Sequence, residues 1–296
     1  MKRRWFGPAL ILPLVAVQIP VGAQTVSAVM APAIVPQTAL PVIDAAIAAG
    51  RYDDARDLIA RTARGDDSPK LRLRSAELAL ARGALGQAAT AFTDLAADPA
   101  LAATAQQGLG LTRLRQGNVA AASAALDAAL AADPALVRAW NARAVIADRA
   151  RDFAAADAAY ARALALDPAN AMVLGNRGYS WLLRRRFAEA EADLARAGVL
   201  DPGLAAVQTN LRVARAMQGR YRDAFAGSTR ARLATDLNTV GFAAVARGDM
   251  AVAESYFNRA LALNPRFDQV AWANLRYLKA RTDPLGMGSM PDDTLP

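Results

Sequence analysis

Cysteine and histidine are both absent from this chain of 296 residues, and glutamate occurs only at Glu77, Glu189, Glu191 and Glu254. Without thiols or imidazoles there are no disulfides, no Cys nucleophile, no His general base, and no metal centre built from thiolate or imidazole. A lipid anchor attached through cysteine is excluded on the same ground. Glu189 and Glu191 do not form a carboxylate pair, because residues two apart on a helix point to different sides. Gly108 and Gly110 resemble a fragment of a phosphate loop, but no Gly-Lys-Ser/Thr follows and no strand precedes them, so no nucleotide site is expected. Composition therefore argues against an enzyme and for a protein with no catalytic residue, metal or cofactor.

What the chain does have is apolar substance: 54% of residues are hydrophobic and 21% charged, with a mean hydropathy of +0.12, enough to bury a core. The net charge of +8 begins with Lys2, Arg3 and Arg4; past them 32 basic residues face 27 acidic ones. No basic stripe with interleaved aromatics is present, and nucleic acid is not an expected partner.

Residues 1–23 have the three parts of a secretory signal: the basic start, an apolar run from Trp5 to Ile19, and the small-residue site Val21-Gly22-Ala23. Cleavage after Ala23 and a periplasmic destination follow. The alternative is a retained anchor, although Pro8 and Pro13 interrupt the run and it falls short of the roughly 20 residues that span a bilayer. Arg3-Arg4-Trp5-Phe6 also fits the core of a twin-arginine signal, whereas the strongly apolar run favours general export. Residues 24–35 read as an extended linker, and residues 282–296, with Pro284, Gly286, Gly288 and Pro291, as a disordered tail.

Between them the chain repeats itself. In residues 137–170, counted from one, Trp140 stands at position four, Ala144 at eight, Ala156 at twenty, Tyr160 at twenty-four, Ala163 at twenty-seven and Pro168 at thirty-two. Residues 171–204 repeat this with Gly178, Trp181, Ala190, Leu194, Ala197 and Pro202, and residues 103–136 with Gly110, Ala122, Leu126, Ala129 and Pro134. Small residues at eight, twenty and twenty-seven let two helices approach, larger ones fill the space between, and Pro at thirty-two ends the unit. Looser units follow the same scheme at 36–68, 69–102, 205–233 and 234–267, with a capping helix at 268–281 carrying Trp272, Leu275 and Tyr277. The second helix of unit 205–233 is expected to be cut short, with an irregular joint near Thr229 to Asp236, because Gly241 follows Arg212 after only 29 residues.

This pattern resembles the tetratricopeptide repeat, which implies an all-α superhelical solenoid of helix-turn-helix repeats with a C-terminal capping helix. In that family a concave groove formed by first helices binds extended peptides. Carried onto this chain, the groove residues are Arg138, Asn141, Val145 and Asp148; Met172, Asn176, Tyr179 and Leu182; Thr209, Asn210 and Val213; and Thr235, Asn238 and Phe242. Asn141, Asn176, Asn210, Asn238 and Asn274 recur once per unit, and an amide can both donate to and accept from a peptide backbone. The same amides could instead bond a neighbouring helix. Arg184-Arg185-Arg186 reads as a solvated turn, and Trp140, Trp181 and Trp272 as core.

Gly175-Asn176-Arg177-Gly178-Tyr179-Ser180, Arg186-Phe187-Ala188-Glu189-Ala190-Glu191, Thr209-Asn210-Leu211 and Gly219-Arg220-Tyr221 are similar to the repeat protein of the tight-adherence (Tad/Flp) pilus assembly system. That resemblance covers the central and C-terminal repeats. It implies a periplasmic scaffold for protein partners such as a secretin or pilus-assembly components. The alternative is a repeat scaffold for exopolysaccharide export or general envelope assembly.

Overall fold

A computed structural model describes residues 39–65, 68–263 and 269–282, so the signal expected at 1–23, the linker expected at 24–35 and the chain from 283 onward lie outside the described residues. Those described form fourteen α-helices and no strand. They divide into two compact bodies, residues 39–180 and residues 181–282.

The first body holds α1 (Ala39–Ala48), α2 (Tyr52–Thr62), α3 (Pro69–Arg82), α4 (Leu85–Leu95), α5 (Ala102–Arg115), α6 (Val119–Ala132), α7 (Val137–Arg149), α8 (Phe153–Leu166) and most of α9 (Ala171–Leu183). Odd-numbered helices are the first of each pair and even-numbered ones the second. Pro41 stands in the first turn of α1, where a missing N–H interrupts no helical bond. Helix starts are capped by side chains: Ser68, Asn118 and Asp152 accept from the N–H three residues on.

Each first helix ends in a left-handed residue at position fifteen. It is glycine in Gly83 (φ 81°) and Gly117 (φ 80°), where the absent Cβ removes the steric penalty, but arginine in Arg151 (φ 58°). Each long unit then closes through an Asp-Pro pair. The Asp133 and Asp167 carboxylates accept from the N–H of Ala135 and Ala169 at 2.9 and 3.3 Å, folding the turn that the following Pro stiffens.

Packing within a pair and between neighbouring pairs sets a large side chain on a small residue. Leu126 of α6 lies over Gly110, where an added Cβ would come within 2.6 Å of it, and Phe92 of α4 lies over Gly108, where the distance would be 2.3 Å. Tyr160 of α8 is buried beside Ala144 and Ala156. Its hydroxyl donates to the buried Asp148 carboxylate at 2.8 Å, and Ser180 donates to the other oxygen at 2.6 Å, so this carboxylate is held by hydroxyls.

The second body holds the end of α9, then α10 (Phe187–Leu200), α11 (Ala205–Met217), α12 (Leu233–Arg247), α13 (Met250–Leu263) and α14 (Gln269–Thr282). Phe257 of α13 covers Gly241 of α12, and Leu275 and Leu278 of α14 join the same cluster.

Two expectations are corrected here. Unit 205–233 has no short second α-helix: a single 3-10 turn at Asp223–Phe225 takes its place, and the irregular stretch runs from 218 to 232 and ends before α12 begins at Leu233. The turn starts as a second helix should, with Ala224 fully buried, but the chain leaves helical geometry at Ala226 (ψ 128°), and the left-handed Gly227 (φ 75°) follows. The capping helix buries Ala271, Leu275 and Leu278 but leaves Trp272, expected in the core, 37% exposed. Among the described residues no helix is long and apolar enough to cross a membrane.

Candidate functional site

In the first body the first-helix face is built on α3, α5, α7 and α9, and its centre is an ion pair. Arg138 on α7 donates to both carboxylate oxygens of Glu77 on α3, at 3.1 and 3.3 Å. Packed helices lie roughly 8–10 Å apart, so α3 and α7 would stand about 16–20 Å apart across a flat layer with α5 between them. The pair closes that span, which means the three helices curve toward this face.

Beneath the pair runs a line of buried amides. Gln107 of α5 accepts from the backbone N–H of Ala139 at 3.1 Å, at the start of α7. Asn176 of α9 donates to the side-chain oxygen of Asn141 on α7 at 3.1 Å. Both asparagines are buried, so their amides join neighbouring first helices and are not a free row awaiting a peptide backbone. The sequence reading missed Gln107, whose position within its unit is that of Asn141.

Val145, Met172 and Tyr179 are half-buried and form the apolar part of this face, with the exposed Arg149 nearby. Burial, and next the charge of Asp148, raise the Tyr179 phenol above its ordinary value while Arg149 pulls the other way, so the hydroxyl stays protonated and able to donate. Asp148 itself and Leu182 are buried and unavailable to a partner.

In the second body, Asn210 and Asn238 are buried, and Asn274 of α14 donates to Asn238 at 3.4 Å. Thr209 donates to the backbone carbonyl of Ala205 in its own helix. Val213 is buried, and Phe242 is half-buried against the Phe257 cluster.

The distinctive feature of this body is the 218–232 stretch. Arg212 occupies position eight, where the units from 69 to 204 and unit 234–267 have Gly or Ala, and no second helix packs there. Its guanidinium pairs with Asp236 at 3.0 Å, with side chains 4% and 2% exposed, and Ser228 bridges them. Burial lowers the Arg212 pKa, with Asp236 opposing. Outside this pair, Glu191 of α10 accepts from Arg215 at 3.0 Å, Gln218 at 2.8 Å and Arg220 at 2.6 Å. Tyr221 donates to Asp249, and the rings of Tyr221 and Phe225 lie 6.1 and 5.3 Å from Tyr256.

The arginine run is more than a solvated turn. The guanidinium carbons of Arg184 and Arg186 lie 3.9 and 4.6 Å from the Trp181 ring centroid, and the indole N–H of Trp181 donates to Asp193 at 3.1 Å. Arg185 is the left-handed residue of the turn, φ 60°.

A family model described as tetratricopeptide repeat matches residues 108–156 and 146–205. Comparison with curated proteins by sequence found no match. Among solved structures, the APC/C hetero-tetramer Cut9–Hcn1 overlays with a TM-score of 0.56 at 16% identity, covering 82% of this chain and 42% of that one. The C-terminal part of a TPR repeat-containing protein from Cytophaga hutchinsonii overlays at 0.51 and 14% identity, covering 80% and 99%. PilF of Pseudomonas aeruginosa, 26% identical over 64% of this chain and 95% of its own, reaches only 0.46, too loose an overlay to transfer a function. Residues 108–205 therefore match the tetratricopeptide repeat, and the described residues around them share the all-helical repeat fold of these solved structures.

Proposed function

We propose that this chain is an exported, non-catalytic scaffold that holds partner polypeptides against the first helices of its repeats, and that those partners are components of a Tad/Flp-type pilus or its secretin. The observation that carries the binding reading is the curved face of α3, α5 and α7. Arg138 and Glu77 present paired charges there, beside the half-buried Val145, Met172 and Tyr179. The amide line underneath holds the helices at fixed spacing, so the face is preorganised and loses little freedom when a partner docks. Export rests on the signal-like residues 1–23, and the pilus assignment on the motifs between Gly175 and Tyr221.

The test is crosslinked co-purification of the tagged protein from cell envelopes, alongside an Arg138→Ala/Tyr179→Ala variant. Recovery of a secretin and pilus-assembly proteins with the parent, and their loss with the variant, is the expected result. Recovery of polysaccharide-export components instead, or of the same proteins with both forms, would overturn the pilus reading or the assigned face respectively.

A further inference from the structure

In the units from 69 to 204, positions twenty-one and twenty-three are small or acidic: Ala89 and Ala91, Ser123 and Ala125, Asp157 and Ala159, Glu191 and Asp193. The second body breaks this rule where its second helix is missing. Phe225 stands at position twenty-one of unit 205–233 and Tyr256 at position twenty-three of unit 234–267, and their rings meet at 5.3 Å. Tyr221 closes on the same Tyr256 ring at 6.1 Å. All three rings pack against the core with one side and are only half-buried, so an aromatic cluster reaches the surface.

The rim of this cluster is basic. Arg259 lies one turn beyond Tyr256 on α13, and Arg222 follows Tyr221. Burial raises the Tyr256 phenol above its ordinary value while the charges of Arg259 and Arg222 oppose the rise, so both guanidiniums act on a hydroxyl that stays protonated. Among the described residues neither arginine has a carboxylate partner, and the Tyr256 hydroxyl makes no hydrogen bond. The neighbouring carboxylates are engaged elsewhere: Asp223 with Arg220, and Asp249 with Tyr221 and Arg247. Glu254, two residues before Tyr256, points to a different side of α13. Two guanidiniums and a phenol O–H match the lone pairs of a carboxylate. A bare inorganic anion would leave the rings uncovered, whereas an acidic polypeptide brings an apolar side chain with its carboxylate.

We propose that this outer face of the second body docks an acidic segment of a partner polypeptide, whose carboxylate is held by Arg222, Arg259 and the Tyr256 hydroxyl while an adjacent apolar side chain packs on Phe225. The surface shares no residue with the face of α3, α5 and α7, and its occupancy is separable from docking there.

Fluorescence anisotropy of a labelled synthetic peptide, Asp-Phe-Asp-Leu-Asp, added to the full chain reads the docking. The acidic peptide should bind the parent, and affinity should fall by at least about tenfold for the amide peptide Asn-Phe-Asn-Leu-Asn and for an Arg222→Gln/Arg259→Gln variant, since each loses charge-assisted hydrogen bonds. Neither arginine holds an ion pair within the described residues, so this variant should keep the thermal midpoint of the parent. Arg72→Gln/Arg82→Gln takes the same charge from exposed positions of the first body and should leave binding unchanged. Absence of binding to the parent, or equal binding to the Arg222→Gln/Arg259→Gln variant, would overturn the proposal. So would an equal loss in the first-body variant, which would mean unspecific attraction. Displacement by equimolar inorganic phosphate, with Phe225→Leu having no effect, would also overturn it, as the mark of a simple anion site.

Discussion

Arg138 on α7 and Glu77 on α3 form a two-pronged ion pair across the width of α5. The Arg138 side chain remains 45% exposed, so water screens the pair. Arg138→Ala should lower stability by less than about 1 kcal/mol. Its effect on the partner should be larger, because a docked polypeptide displaces the water that screens the guanidinium. Urea titration beside a binding isotherm for the co-purified partner separates the two, and equal affinity in parent and variant would remove Arg138 from the docking face.

The amide line is predicted to act on stability first. Asn176→Ala leaves the buried Asn141 oxygen without the donor it has at 3.1 Å, a loss of about 1–3 kcal/mol. A chain of unchanged midpoint in chemical denaturation would show that Asn141 finds another partner.

Arg212 and Asp236 are buried together, so breaking the pair from one side strands a charge. Asp236→Ala should cost about 3–5 kcal/mol. Arg212→Met combined with Asp236→Leu removes both charges and should cost much less than either single change. A strictly additive double-mutant cycle would refute direct coupling.

Gly241 and Arg151 respond in opposite directions. Gly241→Val forces a side chain where even a Cβ would sit 2.6 Å from the Phe257 ring, an overpacking cost of about 1–3 kcal/mol. Arg151→Gly relieves a left-handed arginine at φ 58° and should stabilise by about 1 kcal/mol. Thermal midpoints of the two variants check both signs.

The 218–232 stretch should loosen at both ends of the pH scale. Burial opposes ionisation of Glu191, but hydrogen bonds from Arg215 and Gln218 and the charges of Arg220 and Arg215 hold its carboxyl below the usual range. The hydrogen bond from Tyr221, with Arg247, does the same for Asp249. Groups depressed in the folded chain stabilise it above their unfolded pKa values, about 4. That contribution disappears as pH falls through the lower folded values. Tyr221 has the reverse sign: burial, with Asp249, raises it from 10.0 to about 12, so its contribution is present below pH 10 and is lost as pH rises through 12. Amide exchange across 218–232 against pH measures the first effect and ultraviolet phenol titration the second. A Tyr221 that titrates near 10 would contradict the buried geometry.

Much of the array was legible because close helix packing leaves a mark on residue size. Gly110 under Leu126 and Gly241 under Phe257 are pairings a sequence can display, since no larger residue fits there. Arg212 at position eight carried a similar signal, as it marks a unit whose second helix is replaced by a 3-10 turn, and the shortened spacing to Gly241 disclosed only that something was irregular. The asparagines were ambiguous by their chemistry: an amide that suits a peptide backbone suits another amide equally, and only the approach of α7 to α9 assigns Asn176 to Asn141.

The amino-acid sequence alone determined the helical pairs, their period and the absence of thiol and imidazole chemistry, because these depend on local propensity, on side-chain volume and on composition. Tertiary structure decided which polar groups were already taken. Arg138 meets Glu77 across 61 residues of sequence, Asp236 neutralises Arg212, and Asp148 is held by Tyr160 and Ser180. Each of those pairings depends on how neighbouring helices are placed, and a residue's type records what it can bond to but not which partner packing brings within reach.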